Sequence, residues 1–322
     1  MTTALIDKRL IFVTGKGGTG KSTVTAGLAA AAARGGLRVL VIEVGSHEAI
    51  PPLIAPGGPP VGHAGRTLAP GLTVMRIDPY AALAEYLVLQ LGARFVVERV
   101  LANRGFRQLM NASPGWRDLI TLGKVWHLEG MEEKPGRPKF DLIVVDAPAT
   151  GHGVTFLDVP RVVVSAVRAG PLRRHSQAVE DLIRDPKRTL LLPVALAEEL
   201  PTRETVELVA TVREKLLIPM DRVVVNGVAS APFPPGLETL DEQLRRLPRG
   251  ARFGALPPAG EIADCAGFLK ARYALNCGYE RLIAEQTSLP VVRLPFLVSG
   301  ATDIEALAGL GETLLVPPEF AV

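Results

Sequence analysis

Eight residues near the start, Gly15-Lys16-Gly17-Gly18-Thr19-Gly20-Lys21-Ser22, limit what this chain can fold into more than any other stretch. They fit the pattern G-x-x-x-x-G-K-[ST] without a mismatch. Leu10-Ile11-Phe12-Val13-Thr14 before them is a short β-rich apolar run, and residues 22–33 after them are alanine-rich and helix-favouring. A strand, a glycine turn and a helix N-terminus together make the arrangement that triphosphate binding requires. The glycines admit tight backbone angles, successive N–H groups converge on phosphate oxygens, and the helix dipole adds favourable potential there. In such a loop Lys21 sits on the β- and γ-phosphates and the Ser22 hydroxyl takes a Mg²⁺ position, with Thr23 next in the first helical turn.

The rest of the chain alternates strands with helices. Strands are predicted at 38–44, 72–77, 140–146, 189–194, 220–226 and 290–294, most of them near-continuous apolar runs of the buried parallel kind. Helical patterns fill 81–133, 158–185, 202–216 with Thr202 as N-cap, 237–247, 268–286 and 303–314, although Val162-Val163-Val164 reads equally well as a strand. Residues 51–71, rich in proline and glycine, read as a long surface loop. This alternation predicts the α/β class: a doubly wound, mostly parallel sheet with helices on both faces. No internal repeat is present, so one loop means one nucleotide site per chain. The strand at 140–146 is apolar until Asp146 at its C-terminal end, where open α/β sheets place ligand chemistry and where a carboxylate would join the Mg²⁺ shell.

Composition excludes several alternatives. With 36 basic and 33 acidic residues the net charge is +3, and no basic stretch is interleaved with aromatics, so nucleic acid is not an expected partner. Two cysteines in 322 residues do not make a disulfide framework and fit a reducing compartment. No signal pattern precedes the first predicted strand, no apolar run is long enough for a bilayer, and residues 316–322 do not form a basic amphipathic anchor. The expectation is a cytoplasmic protein.

Lys16, directly after the first glycine, resembles the deviant Walker A loop of the class that contains the partitioning ATPases, the nitrogenase iron protein and the anion-pump ATPases. Asp146-Ala147-Pro148-Ala149-Thr150-Gly151-His152 resembles the switch II segment of the anion-pump ATPases in particular. That family includes the arsenite-pump ATPase and the ATPase that delivers tail-anchored membrane proteins. The likeness continues in residues 193–205 (PVALAEELPTRET), in Val223-Val224-Val225-Asn226 and in Leu294-Pro295-Phe296. It implies a P-loop ATPase using ATP and Mg²⁺, with the chain as a single domain over 1–322 and a helical client or substrate subdomain at 81–133 and 153–186. It implies that Lys16 reaches the phosphates of a partner subunit, a second copy or a close paralogue, and stabilises transferring charge in trans as an arginine finger does. By the same likeness Asn226 contacts the adenine edge, Pro295 and Phe296 begin the loop over the base, and Pro148, Thr150, Gly151 and His152 sense the γ-phosphate. The client would be a hydrophobic protein or a membrane component.

Two departures qualify this. Gly45 stands where the family has its switch I aspartate, which orients the attacking water. Glu43 shares a strand face with that position and is the candidate replacement, or else supports the switch by bonding to loop backbone. Losing a water-orienting carboxylate commonly removes a factor of about 10²–10⁴ in rate, so a weakly hydrolysing nucleotide-gated scaffold is the alternative, with a partitioning-type positioning ATPase third. Cys265 and Cys277, the only cysteines, would lie ~18 Å apart on a continuous helix, so no zinc site is expected within one chain and both read as buried structural thiols.

Overall fold

The computed structural model describes residues 5–92, 94–105, 108, 114–298, 300 and 303–317. Strand β1 (Leu10–Gly15) runs into the glycine loop, which gives way to α1 (Lys21–Arg34). Strand β2 (Val39–Glu43), the short helix α2 (Pro51–Ile54), and strands β3 (Arg66–Ala69) and β4 (Leu72–Arg76) follow. Next come α3 (Pro79–Leu91), α4 (Arg94–Ala102) and α5 (Pro114–Glu129), then a small ribbon of β5 (Glu132–Lys134) and β6 (Arg137–Pro138). Strand β7 (Leu142–Asp146) leads to α6 (Thr150–Ala166) and α7 (Pro171–Arg184). The chain finishes with β8 (Thr189–Leu196), α8 (Glu199–Thr211) and a π-helical turn to Leu216, β9 (Val223–Val228), α9 (Leu240–Arg245), α10 (Ala259–Thr287), β10 (Val291–Pro295) and α11 (Ile304–Leu315).

The main sheet has the order β10-β9-β8-β1-β7-β2-β4-β3, parallel throughout except for the antiparallel edge pair β3 and β4. This is the doubly wound, mostly parallel sheet expected. β1 lies between β7 and β8, and its register pairs Val13 with Asp146, so the glycine loop and the carboxylate leave the sheet side by side. Side chains alternate across the sheet. Ile11, Val13, Val41 and Val144 face α1 and α11, while Leu10, Phe12, Leu40 and Ile42 face the layer that includes α5, α6 and α7. No helix among the described residues is long and apolar enough to cross a membrane.

Several boundaries differ from expectation. The stretch 51–71 is not all loop: it holds α2 and the edge strand β3, whose pairing with β4 the proline and glycine content conceals. Of the two readings open for Val162-Val163-Val164 the helix is the one found, because α6 packs Phe156 and Leu157 against the sheet and tertiary burial overrides β propensity. Thr202 does not cap a helix; α8 begins at Glu199 and Thr202 is buried inside it. The helix expected from 268 begins at Ala259. Of the predicted helical stretch 81–133, residues 93, 106–107 and 109–113 lie outside the described residues, as do residues 318–322 of the C-terminal segment.

Candidate functional site

The loop between β1 and α1 is held by contacts that leave no room for side chains at two glycines. A Cβ on Gly15 would lie 2.1 Å from the Val194 carbonyl oxygen. Gly20 sits at φ +84°, the left-handed region, and a Cβ there would lie 2.2 Å from Asn226 Nδ2. Within the loop the Lys16 carbonyl is a hub, accepting from Thr19 Oγ1 at 2.9 Å and from Lys21 Nζ at 3.0 Å. The Lys21 ammonium therefore closes on backbone of its own loop. Burial pushes its pKa down, against the opposing pull of the Asp146 charge.

Ser22 Oγ donates to Asp146 Oδ2 at 2.6 Å. The other carboxylate oxygen, Oδ1, is buried with no hydrogen-bond partner. Burial raises the Asp146 pKa, while the Ser22 bond and the Lys21 charge lower it in part. A hydroxyl and a carboxylate converging beside a phosphate loop fit Mg²⁺, a hard cation that keeps water and phosphate oxygens in the rest of its shell. Ser22 and Asp146 are thus the residues that would hold the ion. Among the described residues no three His, Cys, Asp or Glu side chains cluster as a metal site of their own.

Glu43 lies next to Asp146 in the sheet register and is buried. Its Oε1 accepts from the backbone N–H of Ala49 at 2.6 Å and of Ile50 at 2.8 Å, so it clamps the loop that follows β2. Its Oε2 is buried without a partner, and burial raises its pKa, with the backbone bonds working the other way. Of the two roles weighed for Glu43, loop support is the one its bonds display.

The segment that resembles switch II begins where β7 ends. The Pro148 carbonyl accepts from Thr14 Oγ1 at 3.0 Å, and a Cβ on Gly153 would press on both atoms, at 2.7 and 2.8 Å. Thr150 and Gly151 open α6. The Thr150 hydroxyl donates to Glu204 Oε2 at 3.2 Å, while Glu204 Oε1 holds Lys16 Nζ at 2.5 Å. One carboxylate on α8 therefore ties the glycine loop to the start of α6. His152 Nε2 lies 3.6 Å from Asp118 Oδ1 on α5. Burial raises the Asp118 pKa, and the neighbouring His152 lowers it in part.

At the other side of the loop Asn226 Nδ2 donates to the Thr19 carbonyl at 3.0 Å, so its amide braces the loop in this structure. Gly227 follows at φ +66°, and Phe296, held by its N–H to the Val228 carbonyl, stands 65% exposed beside it. The structure thus brings Asn226, Gly227 and Phe296 together, with Pro295 ending β10. Glu204, Asp118 and Thr14 were not singled out from sequence. Glu204 lies in the quoted 193–205 segment, but nothing in that segment marks it as a partner of Lys16. Cys265 and Cys277 do share α10, yet Cys265 is exposed and Cys277 half-buried, which corrects the expectation of two buried thiols. The phase of α10 turns both away from full burial.

Residues 8–170 match the anion-transporting ATPase family. The chain belongs to that family. It is similar to ATPase BagA of Mycobacterium tuberculosis, 32% identical over 95% of this chain and 92% of that protein. It is also similar to the arsenical pump-driving ATPase of Escherichia coli, 26% identical over 68% of this chain and 39% of that protein. ATPase GET3 of Lachancea thermotolerans is 26% identical over 69% of this chain and 72% of its own length. As an anion-transporting ATPase family member the chain is a P-loop nucleotide-binding protein, and the glycine loop and Asp146 lie inside the matched region.

Proposed function

We propose that this chain is one half of a two-subunit Mg-dependent ATPase in the cytoplasm, its partner being a second copy or a close paralogue. The observation that carries this reading is the Lys16–Glu204–Thr150 connection. The Lys16 side chain is not engaged with its own loop, and among the described residues its ion pair is to the part-exposed carboxylate of Glu204, which also holds Thr150. ATP would bind Gly15 to Thr23, with Lys21 on the β- and γ-phosphates and Ser22 and Asp146 on Mg²⁺. The ion would neutralise charge developing on the transferring phosphoryl group. Lys16 would leave Glu204 for the partner's phosphates, freeing Thr150 and with it Pro148, Gly151 and His152 to respond. Asn226, Pro295 and Phe296 would take the adenine.

The helices of 81–133 and 153–186 would form the subdomain that handles a hydrophobic protein client or membrane component. Support comes from apolar side chains standing exposed there, Leu89, Phe95, Trp116 and Val162 among them. A second reading, a nucleotide-gated scaffold that turns over very slowly, is favoured by Glu43, which spends one oxygen on the loop backbone while Gly45 offers no carboxylate. Size and turnover of the purified chain with ATP, with ADP and with neither separate the two readings. ATP-dependent pairing with turnover supports the first, and pairing without turnover the second. ATP uptake and pairing that are both unchanged in Lys16→Ala would overturn the trans-lysine proposal.

A further inference from the structure

Helices α3, α5 and α7 enclose a cavity of about 290 Å³ that no part of the nucleotide site touches. Its walls are mostly carbon, from Leu83, Ile120, Trp126, Leu172 and Val179 among others. Two features point to an occupant. Gly123, in the interior of α5, lines the cavity, and a Cβ built on it meets nothing within 4 Å. Glycine is a poor choice inside a helix, so the omitted side chain is space kept open at a cost. Ser176 on α7 lines the same cavity, is 1% exposed, and its hydroxyl has no hydrogen-bond partner. A buried hydroxyl left unpaired is destabilising unless something arrives to bond it.

We propose that this cavity binds a small neutral amphiphile, a compact apolar body with one hydroxyl-type group that bonds Ser176. Size sets the class. An engineered apolar cavity of about 150 Å³ holds benzene, so this one suits roughly ten non-hydrogen atoms. Charge sets the rest. Lys124 and Glu85 at the wall pair with each other, and His175 Nδ1 shares a hydrogen bond with the Tyr86 hydroxyl at 2.7 Å, so an ionised head would meet charges already matched among carbon walls. The proposal rests on the cavity alone and stands whether or not the ATPase reading does.

The chain has two tryptophans, Trp116 and Trp126, and both line this cavity, so intrinsic fluorescence reads its occupancy directly. The full chain without nucleotide is titrated with 1-octanol, with octanoate and with an apolar helical peptide, as wild type, Gly123→Ala, Gly123→Leu and Ser176→Ala. Octanol is expected to give a saturable change. Its affinity should fall stepwise through Gly123→Ala to about tenfold or more in Gly123→Leu, and several-fold in Ser176→Ala. Circular dichroism and ATP affinity of the same samples distinguish lost fold or lost nucleotide binding from a blocked cavity. No saturable change, equal affinity in wild type and both Gly123 variants, tighter binding of octanoate than octanol, or a response to the peptide only would each overturn the proposal.

Discussion

The two faces of the sheet are covered in opposite ways. On one, α1 presents Ala26, Ala29, Ala30 and Ala32 and meets α11 so closely that a Cβ on Gly311 would fall 1.9 Å from the Gly27 carbonyl oxygen. On the other, α3, α5 and α7 leave a cavity of about 290 Å³ and expose aromatic and aliphatic side chains. The close-packed face carries the first turn of α1 and hence the phosphate loop, whose geometry tolerates little error. The looser face holds the helices that the segment after β7 reaches through His152 and Asp118. A dense interface has few alternative packings, whereas one with space and exposed apolar groups has several of similar energy. On the proposed function, nucleotide chemistry would be set on the close-packed face and the capacity to rearrange would lie on the other.

Four substitutions test that contrast. Lys21→Ala should lower ATP turnover by about 10²–10³-fold, measured by phosphate release, and leave octanol binding in the helical layer intact. A parallel loss at both sites would show that the faces are not separable. Gly311→Ala should cost about 1–3 kcal/mol in denaturant unfolding because α11 must move off α1, while Gly123→Ala should gain about 0.5–1 kcal/mol. Equal signs for the two would remove the packing distinction. Glu204→Gln weakens a half-exposed hold on Lys16 of the kind worth about 0.2–1 kcal/mol, so ATP-dependent association, followed by sedimentation, should tighten by up to about fivefold. Weaker association would mean that Glu204 assists closure instead of opposing it.

The smallest effect is in Asp118→Asn. Burial raises the Asp118 pKa above its unfolded value, so the folded protein holds this proton more tightly. Wild-type stability from this group is present below the unfolded pKa and is lost as pH rises through the raised one. Asn does not titrate, so the variant's stability relative to wild type should improve across that window and then level off. Thermal unfolding at a series of acidic to neutral pH values would show it, and a flat difference would place the Asp118 carboxyl in ordinary solvent.

Much of the frame was readable before any coordinates. The strand, loop and helix at 10–34 are contiguous, and each residue there acts through its own backbone angles or through neighbours a few positions away. Asp146 was readable because a carboxylate ending an apolar run has one natural place in a parallel sheet. Edge strand β3 was missed because its signal is pairing with β4, not composition. The Glu43 bonds to Ala49 and Ile50 were one of two options until the loop path was known.

What the sequence determined by itself was local: the phosphate loop, the alternation that makes a doubly wound sheet, and the strand end that faces the loop. Tertiary structure alone decided that Lys16 meets Glu204, 188 positions away, that Asn226 braces Thr19, and that three helices distant in sequence surround a cavity floored by a glycine. The reason is physical. Backbone conformation follows from a residue and its near neighbours, but the partner of a side chain, and the space left where none arrives, depend on how whole elements pack.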